Sequence, residues 1–247
     1  MTADTITALR SLWQQAFGDS EETLDSFFAT AFSPDRCNYL TEANQPVSAL
    51  YWFDCSLDGR KLAYLYALAT DTAHRGKGLA HKLMEATHDQ LRKAGYCGAV
   101  LVPGEASLFD FYEKMGYRTA TTIAEFTCMA EDTPVSLTQI TPDEYAQLRK
   151  SYLPAGGVLQ ENEALAFLQT QGAFYRGEDF LLAASVLEDT LIAQELLGNN
   201  QAAPHILRAL NLPKGRFRTQ GAQRSFAMFF PLEEDCPTPA YFGLALD

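Results

Sequence analysis

Positive charge is scarce in this chain. Its 247 residues carry 19 Lys and Arg against 31 Asp and Glu, a formal net charge of −12, so a nucleic acid would be repelled overall and is not an expected partner. A cationic amine would be drawn in by the same field. Cysteine is sparse as well. Cys37, Cys55, Cys97, Cys128 and Cys236 are odd in number and contain no Cys-x-x-Cys pair, which fits neither a disulfide framework nor a zinc ribbon. Their neighbours give no reason for a depressed thiol pKa, so a cysteine nucleophile has little support. Long apolar runs are missing: nothing approaches the roughly 20 residues that cross a bilayer, and no N-terminal segment reads as a signal peptide. A reduced, cytoplasmic protein with no membrane partner is the expectation. Histidine is rare, and His74, His81 and His88 fall seven apart, not four apart as in a helical zinc pair, so no metal is assigned. His81 and His88 are expected to face solvent.

What is present suits a globular protein with a real core: 47% hydrophobic and 20% charged residues, in a chain long enough for one large domain or two small ones. The organising stretch is 61–94. Residues 63–70 are rich in Tyr and Leu and end at Asp71-Thr72, as a buried strand would. His74-Arg75-Gly76-Lys77-Gly78-Leu79-Ala80 follows, and Leu79, Leu83, Ala86 and Leu91 then recur at helical spacing until Gly95 stops the helix. The first amides of a helix have no intrahelical acceptor, and its dipole adds partial positive charge there. Two glycines clear the approach and Arg75 and Lys77 add full charges, which makes a cradle for a phosphate or pyrophosphate. A short strand at 99–102 and a helix at 107–117, closed by Gly116, come next.

Two of these segments resemble a known family. Arg75-Gly76-Lys77-Gly78-Leu79-Ala80 is similar to the Arg/Gln-x-x-Gly-x-Gly/Ala signature of the Gcn5-related N-acetyltransferases (GNATs), and Phe111-Tyr112-Glu113-Lys114-Met115-Gly116-Tyr117 to the Phe-Tyr-Glu-Lys-x-Gly-Phe/Tyr segment that follows it. The resemblance covers about residues 1–130. It implies acetyl-CoA as acyl donor: the backbone of Leu68, Ala69 and Thr70 would bind the pantetheine arm, and Arg75, Gly76, Lys77, Gly78, Leu79 and Ala80 the pyrophosphate. It also implies that Tyr112 is the general acid for the departing CoA thiolate. A positioned phenol can do this, and the motif favours that role over the packed aromatic that a tyrosine between Phe111 and Met115 usually is.

Residues 5–32 read as two helices broken at Gly18-Asp19-Ser20, where Asp19 or Ser20 can cap the second. In the family such a pair covers the acceptor side of the cleft, while core packing would explain the same residues. Strands are expected at 37–42 and 47–55. Alternation puts Tyr64, Tyr66 and Leu68 on one face of the central strand and Leu65, Ala67 and Ala69 on the other; Tyr51, Trp52, Tyr64 and Tyr66 are candidates to line an acceptor pocket. A strand at 121–129 is expected to close the first lobe, and the polar run 130–134 to separate an N-acetyltransferase domain (1–130, with the acetyl-CoA site) from residues 135–247.

Beyond it the pattern restarts. A strand at 137–140, a helix start at Thr141-Pro142-Asp143-Glu144 and a helix at 160–171 precede strands at 180–186 and 190–197. A helix at 203–210, strands at 216–219 and 226–230 and a terminal strand at 241–246 complete the chain. The order echoes the first half, so the expected fold is α/β (α+β): two GNAT-like lobes, each a mixed, mostly antiparallel twisted sheet flanked by helices. The second lobe is a degenerate copy, because Gly198-Asn199-Asn200-Gln201 has no arginine and one glycine. Tandem forms of this kind occur in the family, among enhanced-intracellular-survival proteins and mycothiol synthases. Lys214, Arg216, Arg218 and Arg224 form a basic cluster that is either an exposed strand face or a contact to CoA phosphates or an acidic substrate from the other lobe.

Amine acylation also needs a proton acceptor, for which Glu105, Asp71, the Asp247 carboxylate or water are open. The activity implied is acetyl-CoA-dependent transfer of an acetyl group to a primary amine of a small molecule or peptide, by a monomer or homodimer. A non-catalytic acyl-CoA-binding or sensing module is the main alternative, and a dimeric scaffold a further one.

Overall fold

The structure is a computed structural model that describes residues 1–246. The chain opens with α1 (Ala3–Phe17) and α2 (Glu21–Thr30). Thr2 caps α1 by accepting from Thr5 N, Gly18 ends it at φ 72°, and Ser20 caps α2 by accepting from Thr23 N. Both helices bury their apolar faces, with Leu9, Leu12, Trp13, Leu24 and Phe27 almost fully enclosed. Then come β1 (Cys37–Glu42), β2 (Gln45–Leu57), β3 (Arg60–Thr70), α3 (Leu79–Lys93), β4 (Gly98–Leu101), α4 (Ser107–Glu113) and β5 (Arg118–Thr119). Strands β1, β2 and β3 form an antiparallel meander, and β4 lies parallel to β3.

A β-bulge in β3 shapes everything downstream. Pairing with β2 passes from Tyr51↔Tyr66 to Ala49↔Ala69, so β3 spends two residues where β2 spends one, and Ala67 takes φ 51°. The extra residue reverses the later alternation. Tyr64, Tyr66 and Ala69 pack into one core and Leu65 and Leu68 into the other, where strict period-two reading grouped Leu68 with the tyrosines. Pairing of β3 with β4 also ends at Tyr64↔Val100. Past that point the two parallel strands separate and a cleft opens between them.

The second half comprises β6 (Thr122–Met129), β7 (Thr138–Ile140), α5 (Pro142–Tyr152), β8 (Leu159–Gln160), α6 (Asn162–Gln171), β9 (Ala173–Arg176), β10 (Phe180–Leu187), β11 (Thr190–Gly198), α7 (Ala203–Ala209), β12 (Lys214–Gln220), β13 (Arg224–Ser225) and β14 (Met228–Pro231). The expected capping box forms at Thr141 and Glu144. Two mixed sheets flanked by helices result, in the orders β1-β2-β3-β4-β14-β5 and β13-β6-β12-β11-β10-β9-β7, with β8 beside β2.

Two expectations need correction. The strand expected to close the first lobe forms as β6 but pairs with β12, from Lys214↔Met129 to Gln220↔Ile123. Its place in the first sheet is taken by β14, antiparallel to β4 and to β5. Apolar patterning specifies a strand without specifying its partner, and here the two halves exchange one each. The expected strand at 241–246 is absent beyond a single parallel bridge, Gly157↔Tyr241. Tyr241, Phe242, Leu244 and Ala245 are buried all the same. Side chains take the place of a ladder: Arg218 donates to Gly243 O at 3.3 Å and Gln160 to Leu244 O. The main core runs through both halves, for example where Phe27 meets Phe167 with ring centroids 5.4 Å apart. No helix among the described residues is long and apolar enough to cross a membrane.

Candidate active site

The cradle begins where β3 ends. Asp71 caps a short 3₁₀ turn by accepting from Ala73 N at 3.0 Å and contacts His74 Nδ1 at 2.6 Å. The hydrogen bond from His74, chiefly, holds its carboxyl below the usual range, so Asp71 is a turn cap with little appetite for a proton. Arg75 Nε reaches back to Thr70 O at 3.2 Å. Gly76 and Gly78 have φ of 76° and 73°, and a β-carbon at either would meet no protein atom within 4 Å. The approach to the loop is therefore clear. Lys82 N makes the helical bond to Gly78 O at 3.1 Å, so the amides of Leu79, Ala80 and His81 precede the first helical acceptor. The first turn of α3 carries no acidic residue.

A cleft of about 840 Å³ lies over this loop. Eight of the nine residues expected around the acyl donor line it; Lys77, exposed on the loop, does not. A second cavity, about 360 Å³, lies at the opening between the strands, lined by Tyr64 to Leu68 of β3 and by Leu101 and Val102 at the end of β4. Phe17, Leu68, Leu108 and Tyr112 line both, so the two spaces meet there. The Tyr112 ring packs against Phe111 and Tyr117, with centroids 5.2 and 5.9 Å away. Burial pushes its phenol up to about 12, so it carries its proton at neutral pH. Its hydroxyl has no protein partner among the described residues.

Of the expected acceptor-pocket aromatics, Tyr64 and Tyr66 line the second cavity. Tyr51 instead packs against Trp13 and Phe27, and Trp52 donates to the Tyr96 hydroxyl at 3.1 Å. Sequence reading missed Asp19, which lines this cavity and accepts from Trp13 Nε1 at 2.7 Å. The signal was the Asp19-Ser20 pair: Ser20 caps α2, which leaves Asp19 for other work. Of the candidate proton acceptors, Glu105 lines the cradle cleft and accepts from Ser107 Oγ. Asp247 lies outside the described residues; Leu246 before it lines the second cavity and donates its N–H to the Tyr64 hydroxyl at 3.1 Å.

His81 lies on the open face of α3, with a half-exposed side chain. His88 does not, against expectation: it is buried, 2.7 Å from the Tyr117 hydroxyl and stacked on Phe230 at 4.3 Å. Phe230 arrives on the exchanged strand β14, so a helical wheel of α3 alone could not foresee the contact. Burial pushes His88 down to about 4. The cysteines are all free, and burial pushes Cys37 up to about 12.

The second lobe repeats the geometry and closes it. Strand β11 carries the same bulge, pairing passing from Ala183↔Glu195 to Ala184↔Ala193. At that bulge Glu195, fully buried, binds Arg149 Nε at 2.6 Å and Nη2 at 2.9 Å, and accepts from the Tyr145 hydroxyl at 2.9 Å. Asn199 Oδ1 caps the following turn by accepting from Gln201 N, and Asn199 N binds Asp179 O, so the loop is satisfied from within. Strand β12 turns directly into β13, and no counterpart of α4 intervenes. Of the basic cluster, Lys214 pairs with Asp189, Arg218 and Arg224 pair with Glu125, and Arg216 is exposed.

The family pattern described as an acetyltransferase (GNAT) domain matches residues 1–120. Among solved structures the chain is similar to a GCN5-related N-acetyltransferase from Kribbella flavida, at 16% identity over 94% of this chain and 71% of that one, with a TM-score of 0.70. It is similar to another from Anabaena variabilis, at 14% identity, 94% and 71% coverage and a TM-score of 0.71. A tandem GNAT protein from the clavulanic acid biosynthesis pathway aligns at 12% identity over 94% of this chain and 96% of its own, with a TM-score of 0.56. At such identities the likeness is one of fold. No curated protein sequence matches the chain.

Proposed function

We propose that this chain, whose residues 1–120 match the pattern of an acetyltransferase (GNAT) domain, is a member of that family and an acetyl-CoA-dependent N-acetyltransferase that acylates a primary amine. One observation carries this reading: an open glycine cradle and an aromatic-lined cavity meet at Tyr112, a protonated phenol with no protein partner among the described residues. The residues fit the donor. A β-carbon at Gly76 or Gly78 would stand in the empty approach to the loop, and the amides of Leu79, Ala80 and His81 with Arg75 would bind the pyrophosphate. The edge of β3 beyond Tyr64, freed from β4, would bind the pantetheine arm through Leu68, Ala69 and Thr70.

Acetyl-CoA, when bound, supplies a thioester carbon open to attack by a neutral amine. The chain's part is positional and protonic. The bulge at Ala67 aims the strand edge and the cavity holds the amine beside it; the amine sheds its surplus protons to water, its N–C bond forms as the C–S bond breaks, and the Tyr112 hydroxyl donates its proton to the departing sulfur and regains one from water. The acyl-donor site belongs to the first lobe, about residues 1–130. The second, about 135–247, has none among its described residues, because the loop amides of Asn199 and Gln201 already have acceptors and its bulge holds the Arg149–Glu195 pair.

Titration calorimetry of acetyl-CoA into the full chain tests this. One site per chain is expected, lost in Gly78→Val, followed by thiol release when primary amines are supplied. Binding without release for every amine in a panel would leave an acyl-CoA-binding module. No binding would sink the reading.

A further inference from the structure

The acceptor cavity says more than that an amine enters it. Its walls are aromatic and aliphatic, with Trp13, Phe17, Tyr64 and Tyr66 on one side and Leu65 and Leu101 on the other. Asp19 is the one carboxylate among the described residues that lines it. Asp19 sits between the left-handed Gly18 that ends α1 and the Ser20 that caps α2, so neither helix uses its side chain. Trp13 Nε1 fixes Oδ2, and Oδ1 has no protein partner among the described residues. The indole that holds it is itself rigid, packed among Phe27, Tyr51 and Tyr66 at centroid distances of 4.5, 5.1 and 5.5 Å.

We propose that this cavity takes a compact primary amine bearing a single positive charge on an aromatic or apolar body, and that Asp19 recognises the charge. The inference rests on the acceptor-site reading above. One carboxylate can neutralise one ammonium, and aromatic faces assist it. A second or third ammonium would find no further carboxylate among the described residues that line the cavity and would be desolvated against apolar walls, which is costly. The space, about 360 Å³, is near the lower end of the roughly 300–1,000 Å³ range of ligand pockets, which suits a compact amine. Phe17, almost half exposed and shared by both cavities, stands where the apolar body would pass.

The test uses 2-phenylethylamine, its neutral analogue 2-phenylethanol, and spermidine, titrated into the full chain with and without CoA, in wild type and Asp19→Asn. Asparagine keeps an oxygen for the Trp13 N–H and removes only the charge. In the wild type, phenylethylamine should bind at least tenfold more tightly than either phenylethanol or spermidine. Asp19→Asn should weaken the amine at least tenfold and leave the alcohol unchanged, a charge-specific loss that a merely structural role would not produce. Equal affinity of amine and alcohol, preference for spermidine, no amine binding in either condition, or an amine affinity untouched by the substitution would each overturn the proposal. The wild-type comparison decides by itself if the variant does not fold. CoA binding, read in the same titrations, separates the two inferences: its absence counts against the acetyltransferase reading, and its presence with a failed amine comparison counts against this one alone.

Discussion

Replacing Tyr112 by phenylalanine removes one oxygen and leaves the ring in place against Phe111 and Tyr117. The hydroxyl has no protein partner among the described residues, so its loss strands no donor or acceptor. Folding stability should change by less than about 0.5 kcal/mol, and CoA affinity by less than about twofold. The effect belongs to turnover. A general acid is worth about 10²–10⁴-fold, or roughly 3–5 kcal/mol of barrier. Turnover, followed by thiol release at saturating donor and amine, should fall by that factor. The pH profile adds a second check. A phenol acts as an acid only while protonated, and burial raises Tyr112 to about 12 from the ordinary value near 10. Its contribution should therefore persist through pH 10 and fade only toward 12. A kcat within threefold of wild type, or a wild-type rate that already declines through pH 10 with the same profile in the variant, would refute the assignment of this hydroxyl as the acid.

Three further outcomes follow from geometry described above. Gly78→Val forces a branched residue into φ 73°, at about 1–2 kcal/mol of strain; melting should drop by a few degrees while donor affinity falls at least tenfold, and retained affinity would show that the cradle is not used. Arg149→Met should cost about 3–5 kcal/mol in denaturant unfolding, because it leaves Glu195 buried without its cation. The double variant Arg149→Met/Glu195→Leu should recover most of that loss, and a single variant within 1 kcal/mol of wild type would mean the site is wetter than the structure shows. His88, pushed to about 4 by burial against an unfolded value near 6.5, stays neutral when folded but takes a proton when unfolded. The stability it contributes is complete above pH 6.5 and lost as pH falls through 4, up to about 3 kcal/mol. His88→Gln should flatten that part of the stability–pH curve relative to wild type, and parallel curves would contradict the burial argument.

The local parts of this molecule were legible because local chemistry decides them. The Gly76-Lys77-Gly78 loop, the Ser20 and Thr141 caps and the helical period from Leu79 to Leu91 each follow from residues within a few positions of one another. What could not be read depends on distant partners. Nothing near Ala67 marks it as the bulged position, since only its fit against Ala49 and Tyr51 reveals the extra residue. His88 looks solvent-facing on its own helix and is covered by Phe230, 142 positions later in the sequence. The run from Tyr241 to Leu246 has the apolarity of a strand, yet side chains of Arg218 and Gln160 satisfy it in place of a ladder. Asp19 had two local uses open to it, and a contact to Trp13 excluded the cap.

The exchange of β6 and β14 sets a timetable for synthesis. The residues that hold the glycine cradle are all made by Ala120, but the outer edge of β4 and the whole of β5 pair with Met228–Pro231. A ribosome adds roughly 5–20 residues per second, so about 110 residues and on the order of 5–20 s separate the two events. Throughout that interval the buried strand Gly98–Leu101 presents one unpaired edge, while β6 waits for β12. Each half is born lacking a strand that the other carries, so neither can mature alone, and a nascent chain stalled in that window offers its open edge to any neighbour in the same condition.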